Sequence, residues 1–357
     1  MTVPTLHVVV PDGIDDAQRP SGGNVYDRRV LDELARRGVP TREHRVGEVA
    51  LGSVVGSLPD GATVLVDGLV ASTTDVLVAE SRRLRAAVLL HMPGSGPAEP
   101  AVLRAVAAVV TTSGWARGSV LALGVPPDGV HVAVPGVAAG PPVAGSAAGA
   151  DLLCVGPVTP AKGYDDLVGA LDAVRDLAWT CRCAGALDLE PAYVAALRHR
   201  LRRLGLADRV WLLGPLPPAA LEGLRSASDL VIAASHRESY GMALAEGLAR
   251  GLPAIATDVG GQAEALGRTE NGSLPGTLVP VGDPAALARA LRAWLGEADV
   301  RARWRRAAAE RRRSLGTWDA TATVVHDVLN RIAAGAVEAD EGRCRRSTHA
   351  RSERGSG

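Results

Sequence analysis

The sequence contains no phenylalanine, only three asparagines and a single lysine. Its four cysteines (Cys154, Cys181, Cys183, Cys344) show no CxxC spacing. That excludes a disulfide framework and the common zinc modules. Buried free thiols in a reducing compartment are the expected state. No apolar run approaches the ~20 residues needed to span a bilayer. The opening MTVPTLHVVVPDG has neither a basic start nor a long apolar core. No signal peptide is read there, and a cytoplasmic location is expected. Neither sign of charge is in excess, since Lys+Arg and Asp+Glu both number 39. Nothing therefore points to a nucleic-acid partner. Walker A, GxSxG and GxGxxG spacings are absent, which argues against P-loop, serine-hydrolase and nicotinamide chemistry.

What is present suits two globular domains. The chain has 357 residues, of which 47% are hydrophobic and 22% charged. Ala, Val, Gly, Arg and Pro dominate, as in GC-rich coding. Lys162 is the one lysine among 39 Lys+Arg residues, so a compact ammonium is wanted there. Short apolar runs alternate with helical patterns. Strands are predicted at Leu6–Val10, Thr63–Val66, Ala87–Leu90, Ala107–Thr112 and Val130–Val134, with a helix over Val25–Arg37. Uniformly apolar strands between helices imply a parallel sheet covered on both faces. AAGPPVAGSAAGA (138–150) has no charge and no period, and reads as a linker.

The alternation then restarts, with strands predicted at Leu152–Val155, Trp179–Ala184, Val210–Leu213, Leu230–Ala233, Ala254–Thr257 and Thr277–Val279. The expectation is an α/β protein of two doubly wound halves facing a cleft: residues 1–138, a linker at 139–150, and 151–316. A last helix lies near 317–335, and the polar stretch 338–357 reads as a disordered tail.

Ligands of such sheets sit beyond the carboxyl ends of the strands, so the loops after strands carry the candidates. PSGGN (Pro20–Asn24) leads into a helix, and its paired glycines suit either close approach to an anion or a plain turn. GPVTPAKG places Lys162 at a helix start, where a cation and helix amides make a phosphate site. SHRESYGMALAE (Ser235–Glu246) carries two carboxylates around a helix start. Glu238 and Glu246 read as acceptors for sugar and ribose hydroxyls, or as a helix-dipole acid and a surface Glu. DVGGQAE (Asp258–Glu264) is a further Gly-Gly loop, and His91 ends a strand in the expected cleft. The Arg-rich helix Arg301–Arg313 reads as a solvated face, with contact to anionic lipid the less favoured alternative.

The Glu-x7-Glu spacing of Glu238 and Glu246, continued by GLARGLPAIATDVGGQAEAL (Gly247–Leu266), resembles glycosyltransferase family 4. So do LLCVGPVTPAKGYDDLVGAL (Leu152–Leu171), SGGNVYDRRVLDELARRG (Ser21–Gly38) and TTSGWARGSVLALGVPPDGVHVAVPGV (Thr111–Val137). The resemblance covers about residues 5–333. It implies a GT-B fold, with the last helix crossing back to the first domain. It further implies a retaining transfer of sugar from a nucleotide-diphosphate sugar, of UDP or GDP type, to an acceptor hydroxyl not identified by sequence. No metal and no cofactor are implied. Lys162 would neutralise the donor diphosphate, with Gly22, Gly23 and Asn24 facing it from the other domain. Glu238 would contact the sugar, and the amides of Ser239, Tyr240, Gly241, Met242 and Ala243 would hold sugar and phosphate. Glu246 would bind the ribose, and His91 would lie near the anomeric carbon. One departure stands out: the family usually has Arg five residues before the lysine, and here the residue is Pro157. Lys162 then acts alone, or another arginine such as Arg237 substitutes. Phosphorylase or epimerase chemistry, and a non-catalytic nucleotide-sugar module, are the competing readings.

Overall fold

A computed structural model describes residues 5–47 and 51–334. The first sheet contains β1 (Leu6–Pro11), β2 (Thr41–Val46), β3 (Thr63–Asp67), β4 (Arg85–Leu90), β5 (Ala108–Thr111) and β6 (Val130–Val132), in the order β2-β1-β3-β4-β5-β6. Its helices are α1 (Gly22–Arg36), α2 (Leu51–Ser57), α3 (Gly68–Ala71), α4 (Val76–Glu80), α5 (Glu99–Ala105) and α6 (Gly114–Ala122). All of its pairings are parallel. The central strands are apolar and almost wholly buried, as in β4 (RAAVLL), because helices cover both faces.

The second sheet contains β7 (Asp151–Val155), β8 (Thr180–Ala184), β9 (Val210–Gly214), β10 (Leu230–Ala233), β11 (Ala254–Thr257) and β12 (Gly276–Val279). Its order is β12-β11-β10-β7-β8-β9, again all parallel. Here the helices are α7 (Tyr164–Ala173), α8 (Pro191–Arg203), α9 (Pro218–Ser226), α10 (Met242–Leu248), α11 (Gln262–Leu266), α12 (Pro284–Gly296) and α13 (Ala298–Arg311). The chain is thus an α/β protein of two Rossmann-like halves. Each sheet has a point where the winding reverses: between β1 and β3 in the first, between β7 and β10 in the second. Loops diverge there and leave a crevice at the strand ends.

Four features differ from the sequence reading. β2 (TREHRV) carries no apolar run because it is an edge strand with an exposed face. α1 starts at Gly22, three residues before the predicted start, because Ser21 caps it by accepting from the Asn24 amide at 3.0 Å. Gly22 and Gly23 therefore belong to a first helical turn rather than to a loop. The linker is no free tether. Ser146 donates to Asp229 at 2.7 Å, Arg250 to the Ala138 carbonyl at 2.8 Å and the Trp294 indole to the Gly149 carbonyl at 2.7 Å. Finally, the arginines of α13 form a solvated face only in part: Arg303 and Arg306 are exposed, as expected, while three others turn to backbone carbonyls. Arg301 donates to the carbonyls of Trp294 and Leu295, Arg305 to Ser146, and Arg311 to Leu266.

A final helix, α14 (318–334), packs on the first domain. Trp318, Val325, Val328 and Leu329 join Tyr26, Val30 and Leu34 of α1 in one buried cluster. Cys154, Cys181 and Cys183 are free and buried, as expected, while Cys344 lies outside the described residues, as does the stretch 338–357. No helix among the described residues is long and apolar enough to cross a membrane.

Candidate active site

The two reversal points face each other. Lys162 follows β7 and Glu238 follows β10, so adjacent strands deliver them to the same edge. Their side chains meet at 2.7 Å and are 26% and 19% exposed, sheltered but open to a ligand. The backbone forces this approach. Gly163 has φ +65°, and a Cβ there would lie 2.0 Å from the Ala234 carbonyl oxygen. Only glycine lets the lysine loop lie against the end of β10. The His236 amide then donates to the Ala161 carbonyl at 2.8 Å and joins the two loops.

Beneath Glu238 lies the second Gly-Gly loop. A Cβ on Gly260 would be 1.5 Å from the Glu238 carbonyl oxygen, and one on Gly261 would be 2.3 Å from that of Ser239. These glycines serve close backbone packing under the Glu238 loop. Glu246 lies one helical turn inside α10, where its carboxylate meets the Arg225 guanidinium.

From the first domain, the N-terminus of α1 reaches across. A Cβ on Gly22 would lie 3.6 Å from the Met242 sulfur. Gly23 lies against the His91 ring, with its hypothetical Cβ 3.0 Å from the ring Cδ2. Asn24 uses its side-chain amide on the Gly13 carbonyl at 3.0 Å, which fixes the loop before α1. His91 sits just past β4, with Nε2 at 2.7 Å from Asp27 and 3.4 Å from Asp67. Burial alone would lower the His91 pKa, but the two carboxylates outweigh it and raise it to about 10. Burial raises Asp27 to about 6 against the pull of His91. Asp27, Asp67 and His91 offer ligand atoms within 4.8 Å of one another, but the short Asp27–His91 bond already turns two of those atoms on each other.

Arg237 is exposed beside Glu238, and its guanidinium would lie 3.8 Å from a Cβ on Gly94 of the facing domain. No ion-pair partner is found for it among the described residues. Pro157 donates nothing, so Arg237 and Lys162 are the candidate cations on the second domain's side of the cleft.

Three residues were not legible as site-related in the sequence. Asp67 and Asp27 are separated by 40 positions yet share one His91 nitrogen. The available signal was that Asp27 stands one turn after Gly23 on the same helix face. Glu264 is the other surprise. It reaches from α11 into the first domain and accepts from the Gly114 and Trp115 amides at 2.8 and 2.7 Å. These amides open α6, so the carboxylate also meets the positive end of that helix. Glu264→Gln should loosen the domain contact, lowering Tm by a few degrees for a contribution of about 1 kcal/mol. Small-angle scattering on the same variant should show a larger radius of gyration; an unchanged radius would leave closure to other contacts.

Two surface hollows lie elsewhere. One, of about 540 Å³, adjoins Pro141–Ser146, and another, of about 630 Å³, adjoins Trp179 and Arg209. Both open at the amino ends of the second sheet's strands, away from the reversal point, and neither gathers chemistry.

Comparison with known proteins agrees with this geometry. Residues 147–311 match the family model of glycosyl transferases group 1. The chain is 33% identical over 225 residues to a D-inositol 3-phosphate glycosyltransferase of Jonesia denitrificans, covering 57% of this chain and 52% of that protein. A namesake in Corynebacterium glutamicum is 34% identical over 181 residues, covering 49% of this chain and 42% of that protein. The chain therefore spans about half the length of the curated relatives it matches. Among solved structures, sucrose-phosphate synthase from Thermosynechococcus elongatus superposes with a TM-score of 0.78 at 20% identity, covering 93% of this chain and all of that one. Anabaena HepE, solved in complex with UDP and glucose, gives 0.69 at 17% identity, covering 92% of this chain and all of that one. The chain has the two-domain GT-B fold, and its second domain carries the match to glycosyl transferases group 1.

Proposed function

We propose that the protein is a retaining glycosyltransferase that moves a sugar from a nucleoside-diphosphate sugar to an acceptor hydroxyl. The observation that carries this reading is the Lys162–Glu238 pair at the reversal point of the second sheet, faced by His91 from the first. A nucleoside diphosphate leaves with growing negative charge, so catalysis here is chiefly charge stabilisation. Lys162, Arg237 and the backbone amides of Ser239–Ala243 would meet that charge without a metal ion. Glu238 would accept from hydroxyls of the transferred sugar, and Glu246, with Arg225 beside it, from the ribose. Fold neighbours solved with UDP or UDP-glucose support a UDP-type donor. Three buried free thiols suit a reducing cytoplasm.

Same-face attack fits carboxylates that are already engaged, Glu238 with Lys162 and Asp27 and Asp67 with His91. The C1–O bond to the β-phosphate breaks and the C1–O bond to the acceptor forms on the same face. The acceptor proton passes to the leaving phosphate oxygen. Closing the domains would exclude water that otherwise hydrolyses the donor.

The test is a donor panel. The protein is incubated with UDP-, GDP-, TDP- and ADP-sugars, with released nucleotide and thermal shift recorded together. One donor should both hydrolyse slowly and stabilise the fold. Stabilisation by a nucleotide without turnover, even across an acceptor screen, would leave a binding module. Glu246→Ala should raise the donor KM several-fold with kcat retained; an unchanged KM would remove the ribose role.

A further inference from the structure

His91 is held on three sides. Its Nε2 faces Asp27 and Asp67, its Cδ2 edge lies against Gly23, and Tyr26 meets the ring edge-on with centroids 5.2 Å apart. Tyr26 is itself fixed, donating to the Ala133 carbonyl at 2.8 Å. The edge left over is Nδ1–Cε1, and Nδ1 has no partner among the described residues. Turning the ring over would bring carbon against the Asp27 carboxylate. Gly23 and Asp27 lie one helical turn apart, so one face of α1 both admits the ring and anchors it.

The anchoring is costly. Asp27 is 3% exposed, and its second oxygen, Oδ2, is buried with no hydrogen bond. An unsatisfied carboxylate oxygen in a core destabilises a fold, and an apolar residue would pack there without that cost. Such an arrangement persists where the site needs it.

We propose that Asp27, backed by Asp67, is a positioning residue that turns Nε2 of His91 inward and so fixes Nδ1–H as a hydrogen-bond donor to the oxygen linking the donor's anomeric carbon and its β-phosphate. The inference rests on the nucleotide-sugar reading of the cleft. The groups facing the ring are Asp27 and Tyr26 from α1 and Asp67 from the end of β3. Both carboxylates act to keep the imidazole doubly protonated. His91 is then a fixed cation and not a base. It strengthens its bond as charge grows on the departing oxygen, and it keeps both protons throughout the transfer.

The test uses the full chain labelled with ¹⁵N-histidine, wild type and Asp27→Asn. In the wild type, both His91 ring nitrogens should show protonated-type shifts from pH 6 to about 8.5. In Asp27→Asn the ring should titrate near neutrality. With the donor chosen by the panel, kcat of Asp27→Asn should fall roughly 10-fold at pH 7 and decline further toward pH 9, while the wild-type profile stays flat; donor KM should change less than about 3-fold. A wild-type His91 that titrates near neutrality overturns the proposal, and so does a ring signature unmoved in Asp27→Asn. These readings need no turnover. If the wild type transfers no sugar, the functional reading falls by itself, and the ring signature still decides the positioning role. Should Asp27→Asn not fold, Asp67→Asn acts on the same nitrogen and should move the signature the same way.

Discussion

Lys162→Ala should lower kcat at least about 100-fold, and Glu238→Ala should do the same. The argument is geometric. The pair closes at 2.7 Å across the reversal point of the second sheet. When a donor enters, the ammonium would turn to the diphosphate and the carboxylate to a sugar hydroxyl. Each side chain then contributes most as the glycosidic bond breaks. Removing one also releases the other from its partner, so the double variant should lose less than the product of the two single losses. Initial rates for the four proteins with one donor settle this. Near wild-type turnover in either single variant would remove that residue from the chemistry, and strictly multiplicative losses would mean that the pair does not act as a unit.

Gly260→Ala should destabilise the second domain by about 2–4 kcal/mol and abolish turnover. Two costs add. The residue has φ +58°, which disfavours any side chain. Its Cβ would also lie 1.5 Å from the Glu238 carbonyl oxygen, closer than any packing permits. The backbone under Glu238 must move, and the carboxylate moves with it. A denaturant midpoint and a rate measurement on the same preparation check both halves. Gly272→Ala is the control: it also has positive φ, at +83°, but nothing within 4 Å of a Cβ, so it should cost only the backbone part of this and leave turnover intact.

Much of the architecture was readable because buried parallel strands write themselves as uninterrupted apolar runs. Leu230–Ala233 and Ala254–Thr257 agree to the residue with the structure. β2 was not readable, since an edge strand with charged outward residues has no such run. The start of α1 was misplaced: two glycines read as a loop although Ser21 caps them into a helix. The site divides in the same way. Lys162 and Glu238 were legible from their places after strands, which is a local property. Their contact, the sharing of His91 by Asp27 and Asp67, and the reach of Glu264 to α6 depend on partners 24 to 150 positions away. Periodicity holds no record of such pairings. Arg301, Arg305 and Arg311 of α13 were missed for a related reason, because composition cannot tell a guanidinium that faces water, as Arg303 and Arg306 do, from one that donates to backbone carbonyls.

The chain passes between the domains twice, and the two passages are fastened together. The Val137 amide donates to the Gly316 carbonyl at 3.0 Å, and a Cβ on Gly136 would lie 2.2 Å from the Trp318 amide nitrogen. Just beyond, Thr321 donates to the Val134 carbonyl at 2.7 Å. Two strands of backbone bound side by side behave as a door hinge and not as a string. They resist twist and sliding of one domain over the other, and leave bending about a single axis. With the linker pinned to Asp229 and Trp294, slack cannot enter from that side either. Opening and closing then reduce to one angular coordinate, and every closure returns Lys162 and Glu238 to the same place opposite His91.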